Sequence, residues 1–109
     1  MSAAAETLAR GMSERALQYA VIECAQRLGW LVYHPYDSRK SEPGYPDLTL
    51  VGQRGLLFAE LKSATGRLTG AQRMWHLAFD LAGARIVVWR PADWLSGRVE
   101  AVLRGEEHP

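Results

Sequence analysis

Asp47-Leu48-Thr49-Leu50-Val51-Gly52-Gln53-Arg54-Gly55-Leu56-Leu57-Phe58-Ala59-Glu60-Leu61-Lys62 reads as two strands joined by a tight turn. Strand-forming runs on either side of Gly52-Gln53-Arg54-Gly55 are the pattern of a β-hairpin. Folding it symmetrically about Gln53 and Arg54 sets Val51 opposite Leu56, Thr49 opposite Phe58 and Asp47 opposite Glu60. Directly opposed residues of an antiparallel pair have Cβ atoms roughly 4.5–5.5 Å apart, where like charges repel. Two carboxylates so placed call for an opposite charge between them, and a divalent cation with oxygen ligands is the natural candidate. Strand side chains alternate, so Lys62 shares the face of Glu60 and could orient a water or touch a phosphate there. Each residue alone has a plainer account: Asp47 as a turn residue after Pro46, Glu60 and Lys62 as solvent-facing charges. The shared register is what speaks for a site.

Upstream, Ser13 has the character of an N-cap for a helix running to about Leu28 and ended by Gly29. At 100° per residue, Leu17, Val21, Cys24, Ala25 and Leu28 form one apolar stripe, with Glu14 on it and Glu23 on the opposite side. The helix macrodipole alone accounts for an acid at Glu14. Residues 1–12 are Ala-rich without a core face and are expected to form a loose or marginally helical, flexible tail, leaving 13–109 as a single domain. WLVYH at residues 30–34 reads as a first strand, and the loop that follows carries three prolines. Downstream, Thr69-Gly70-Ala71-Gln72 has the form of a capping box opening a helix to about Ala82, which by itself explains Gln72. RIVVWR at residues 85–90 reads as a buried strand ended by Pro91. Beyond it, PADWLS suggests a helical turn and RVEAVL fits either type. The order α-β-β-β-α-β implies an α/β domain with a small mixed sheet between helices. Trp75 and Phe79 share the helix stripe that should cover the sheet.

With 109 residues, 48% hydrophobic and 23% charged, the chain suits one small folded domain. Cys24 has no partner for an internal disulfide, which points to a reducing compartment. No apolar run approaches the roughly 18 residues of a membrane span, and the N-terminus carries charges where a signal peptide is apolar, so a cytoplasmic protein is expected. A net charge of +1 argues against a general polyanion binder. Its distribution is more telling, because residues 27–90 hold nine basic and five acidic side chains. The loop at 35–46 contains Tyr36, Ser38, Arg39, Lys40 and Tyr45, a mix suited to phosphate contact with aromatic stacking, though an ordinary surface loop has the same look. Arg67 and Arg73 flank the proposed site. His34, His76 and His108 have no zinc-ligand spacing with Cys24, and no Ser or Cys has the His and acid partners of a nucleophile.

Gly44-Tyr45-Pro46-Asp47 followed by Glu60-Leu61-Lys62-Ser63 resembles the PD-(D/E)XK nuclease motif. The continuation Gly66-Arg67-Leu68-Thr69-Gly70-Ala71-Gln72-Arg73-Met74-Trp75, then Ala82-Gly83-Ala84 and a Val-rich strand, is similar to the virus-type replication-repair nuclease (VRR-NUC) branch of that superfamily. The likeness covers residues 13–92 and implies a restriction-endonuclease-like core in the order already read. It also implies that Asp47 and Glu60 are metal ligands with the Leu61 carbonyl as a further oxygen. Lys62 would position or help deprotonate the attacking water, Glu14 would reach the metal directly or through water, and Gln72 would be the motif glutamine beside the site. Gly70 stands where the family often carries Ser or Pro. Mg²⁺, with Mn²⁺ as a substitute, suits carboxylate and water ligation. Stand-alone members resemble Holliday-junction resolvases, which implies branched DNA as partner, a homodimer, and a phage source acting in host cytoplasm. Ser38, Arg39, Lys40, Arg67 and Arg73 are the candidate DNA contacts, and Trp89, Trp94 and Val99 the candidate dimer contacts. The rival readings are a non-catalytic nucleic-acid-binding accessory protein on a nuclease fold and a structural or oligomerisation module.

Overall fold

The computed structural model describes residues 2–35 and 40–109. Helices α1 (Ala3–Gly11) and α2 (Glu14–Arg27) precede strand β1 (Leu31–Tyr33) and the hairpin of β2 (Leu48–Gly52) and β3 (Gly55–Leu61). Helix α3 (Gly70–Leu81), strand β4 (Ile86–Trp89) and two short helices, α4 (Pro91–Leu95) and α5 (Arg98–Leu103), complete the chain. The four strands lie in the order β1-β2-β3-β4, antiparallel up to β3 and parallel between β3 and β4. A parallel step needs a crossover connection, and α3 supplies it. The result is the small mixed sheet flanked by helices that the sequence implies.

The hairpin adopts the expected register, with Val51 opposite Leu56 and Thr49 opposite Phe58. The two-residue period then divides β3 between two environments. Leu57, Ala59 and Leu61 join Leu17, Val21, Cys24 and Ala25 of α2 and Val99, Val102 and Leu103 of α5 in one core. Full burial of each larger side chain there contributes about 1.5–3 kcal/mol. Phe58 turns to the other face, where its ring stacks on Phe79 of α3 at 4.3 Å between centroids. The Ser13 hydroxyl accepts the Ala16 N–H at 3.0 Å and starts α2. Glu23 points to solvent beside Arg27, 3.8 Å away.

Residues 3–11, expected as a loose or marginally helical tail, form α1, whose first turn is capped by the Ser2 hydroxyl accepting from the Ala5 N–H at 3.1 Å. Ala9 is buried, and α1 packs against α4. PADWLS becomes α4, with Pro91 in its first turn and the Asp93 carboxylate accepting the Arg90 N–H at 2.8 Å; RVEAVL becomes α5. Two of the three expected dimer contacts are core residues instead: Trp89 and Val99 are 1% and 0% exposed. The two-residue period aims Trp89 inward, and Val99 lies on the buried side of α5. Trp94 is half-buried against the same core. Among the described residues no helix is long and apolar enough to cross a membrane.

Candidate active site

Asp47 stands one residue before β2, and Glu60 is the penultimate residue of β3. The Asp47 Oδ2 accepts the Leu61 N–H at 2.8 Å, fixing this carboxylate against the backbone where the hairpin ladder ends. The Leu61 side chain goes the other way, into the core, so only its backbone belongs to the site. Glu60 is 1% exposed. Its Oε1 accepts the Gln72 Nε2–H at 3.3 Å, and its Oε2 has no hydrogen-bond partner. Burial pushes the Glu60 carboxyl up to about 9, helped by the neighbouring Asp47 carboxylate and by Glu14, and opposed by Lys62. A buried carboxylate oxygen without a donor is costly unless a charge compensates it. Without a metal a proton meets that need, and the two adjacent carboxyl groups are oxygen donors of the kind a hard divalent ion takes.

Gln72 satisfies both accounts of its presence. Its N–H donates to the Thr69 hydroxyl at 3.1 Å and its Oε1 accepts the Thr69 N–H at 2.8 Å, closing the capping box. The amide group is left with Nε2 free to hold Glu60. Lys62 is half-buried just past β3, its N–H bound to the Trp89 carbonyl at 3.0 Å. Glu14, at the exposed start of α2, has its carboxyl raised by partial burial and then by the charge of Asp47, with Lys62 opposing. It thus shares the field of the pair. Among the described residues no group of three or more His, Cys, Asp or Glu side chains is placed to hold an ion.

Neither a family model nor a curated protein matches the chain. Among solved structures it is similar to one described as a VRR_NUC domain, at 27% identity and a TM-score of 0.66, over 80% of this chain and 94% of that one. The chain folds as a VRR-NUC domain. That places it coarsely among nuclease domains.

In this chain the site opens into a cleft of about 350 Å³ lined by Glu14, Gln18, His34, Asp47, Gln72 and the loop at 41–46. A larger hollow, of about 570 Å³, lies by Arg54, Arg85 and the C-terminus and holds none of the expected site residues. Gln18 and His34 were not singled out for the cleft by sequence; Gln18 lies four residues after Glu14 on α2, a spacing that places both on one helix face. Arg90 was missed as well. Its guanidinium donates to the Ser63 carbonyl at 2.8 Å and the Gly66 carbonyl at 2.6 Å, clamping the turn directly behind Lys62.

The loop leading to Asp47 is fastened to α3. Gly44 has φ +87°, and a Cβ there would stand 2.5 Å from the Ala71 carbonyl oxygen, so helix and loop meet backbone to backbone. The Trp75 indole donates to the Pro43 carbonyl at 3.0 Å. Tyr45, suited by sequence to stacking on bases, instead packs edge-on against Trp75, Phe79 and Phe58 at 5.2, 5.9 and 6.4 Å. Tyr36, Ser38 and Arg39 lie outside the described residues. Lys40, Arg67 and Arg73 are exposed, and Arg73 donates to the Leu68 carbonyl at 2.8 Å.

Proposed function

We propose that the protein is a Mg²⁺-dependent endonuclease that hydrolyses phosphodiester bonds of DNA, selective for branched structures. One observation carries the reading: Asp47 and Glu60 meet at the open end of the hairpin with a buried Glu60 oxygen left unpartnered. Asp47 and Glu60 would hold the ion, with the Leu61 carbonyl and Glu14, the latter directly or through water, as further oxygens. When bound, Mg²⁺ offsets phosphate charge and makes water a usable nucleophile near neutral pH.

The remaining chemistry falls to the chain's own side chains. Gln72 holds Glu60 in place through Nε2, so one carboxylate oxygen is reserved for the ion. Lys62 brings an ammonium whose donors can orient the attacking water and stabilise charge developing on the phosphate. Lys40, Arg67 and Arg73 stand where a phosphate backbone could be held; such contacts position the substrate without reading its sequence. Among the described residues no sequence-reading element accompanies them, which favours recognition of shape.

A cleavage panel of four-way, flap and linear duplexes with Mg²⁺ tests the reading. Asp47→Asn should abolish cleavage while leaving DNA binding in Ca²⁺ unchanged. Binding without cleavage by the wild type would favour the accessory-protein reading, and an active Asp47→Asn variant would remove Asp47 from the chemistry.

A further inference from the structure

One wall of the cleft belongs to α2, where Glu14 and Gln18 line it. At 100° per residue Arg15 and Tyr19 come next around the same turns, on the side away from the core, so they flank the way out of the cleft. On a helix about 10–12 Å across, the step from Gln18 to Tyr19 is about 10 Å of surface. A strand with phosphates about 3.4 Å apart covers that in about three nucleotides. Tyr19 is 59% exposed, a large ring left in solvent. The Arg15 guanidinium lies over the ring at 5.7 Å from its centroid and donates to the Tyr19 hydroxyl at 3.3 Å. One face of the ring is thus taken and the other is open.

The other tyrosines near the site offer no such face. Tyr45 is closed in by Trp75, Phe79 and Phe58. Tyr33 is exposed, but it shares a separate groove with Thr49 and Val51. Arg15 spends one guanidinium contact on Tyr19 and, being exposed, keeps its remaining donors for a phosphate. We propose, resting on the nuclease reading and deepening it, that Tyr19 and Arg15 receive an unpaired base of the DNA strand where it leaves the cleft. The base stacks on the open face of Tyr19, and Arg15 holds a neighbouring phosphate. Only a base that has left its own stack can lie there, because inside a continuous duplex each base is covered above and below by its neighbours. The pair therefore separates flaps, frayed ends and open junctions from continuous duplex. It does so without reading sequence, since every base has a π-face.

The test is binding in Ca²⁺ to a duplex bearing a single-stranded flap, with 2-aminopurine placed in turn at each unpaired position next to the branch, and to the same duplex without the flap. Wild type should quench the probe in at least one position. Tyr19→Ala should abolish that quench and weaken flap binding about tenfold, while changing binding of the blunt duplex by less than about twofold. Tyr19→Phe keeps the ring and should keep the quench, and Tyr33→Ala should behave as wild type. Arg15→Ala should lower the salt dependence of binding by about one phosphate contact. Far-ultraviolet circular dichroism should be unchanged throughout, as both side chains are exposed. A Tyr19→Ala variant with wild-type quench and flap affinity, or with equal losses on flap and blunt duplex, would overturn the proposal. Failure to bind either DNA would overturn the nuclease reading along with it, whereas flap cleavage indifferent to Tyr19→Ala would sink the stacking contact alone.

Discussion

Replacing Glu60 by Gln should make the metal-free protein more stable while abolishing its proposed activity. The Glu60 carboxyl is almost fully enclosed, with one oxygen lacking any donor. Burial, Asp47 and Glu14 together raise it from 4.5 to about 9. An acid raised in the folded state carries no penalty below its unfolded value, and stability then falls as pH climbs through the window from 4.5 to about 9. At pH near 7.5 about three units of that window have been crossed, and at 1.36 kcal/mol per unit the cost is about 4 kcal/mol. Glutamine has the same shape and keeps an oxygen for Gln72, but it titrates nowhere in this range. A recovery of about 2–4 kcal/mol should raise the melting temperature on the order of 10 °C for a domain of this size. Melting curves in EDTA at a series of pH values would read it: wild type loses stability toward alkaline pH, and the two proteins converge in acid. A variant no more stable than wild type at pH 8 would refute the account of Glu60 as a buried carboxyl that must take up a proton to fold.

Gly44→Ala should destabilise the fold by about 2–4 kcal/mol in urea, because its left-handed φ and the Ala71 backbone both oppose a Cβ; a wild-type midpoint would show that loop and helix can part freely. Arg90→Met removes two charge-assisted hydrogen bonds to the turn behind Lys62 and should cost about 2–3 kcal/mol, while lowering kcat more than it changes KM. An equal loss in both kinetic constants, or none, would detach Arg90 from the placement of Lys62.

The parts of the fold that sequence made legible are those where a period or a register leaves little choice. In the hairpin, the turn fixed the partner of every residue, so Thr49 against Phe58 followed, and the two acids were brought to one end. In α2 the stripe from Leu17 to Ala25 separated Glu14 from Glu23 before any contact was known. The short helices gave no such signal. Six residues in α5 span less than two turns, too few for a period to show, although Val99, Val102 and Leu103 close the core. Helix α1 buries only Ala9, and an Ala-rich run with one inward methyl carries no pattern. Arg90 escaped for a different reason: its partners are carbonyls, which every residue possesses, so no side-chain type marks the contact.

Net charge shows the same division between what averages conceal and what position decides. The overall +1 says little about a phosphate-facing surface, and the nine basic residues of the middle segment are not equivalent. Arg27 is paired with Glu23, while Arg85 and Arg90 are committed to backbone carbonyls. Acids near the C-terminus are matched locally, Glu100 with Arg104 at 3.4 Å and Glu107 with Arg98 at 3.8 Å. Lys40, Arg67 and Arg73 remain exposed, and two of them adjoin in sequence the residues that line the cleft. Asp47 and Glu60 oppose them in the count but not in the proposed reaction, because a bound divalent cation cancels both. With that ion bound the cleft still carries Glu14 and Glu42, so attraction of a polyanion rests on Lys40, Arg67 and Arg73 outside its lining, and at a Debye length of about 8 Å this local balance, more than the sum over the chain, governs encounter.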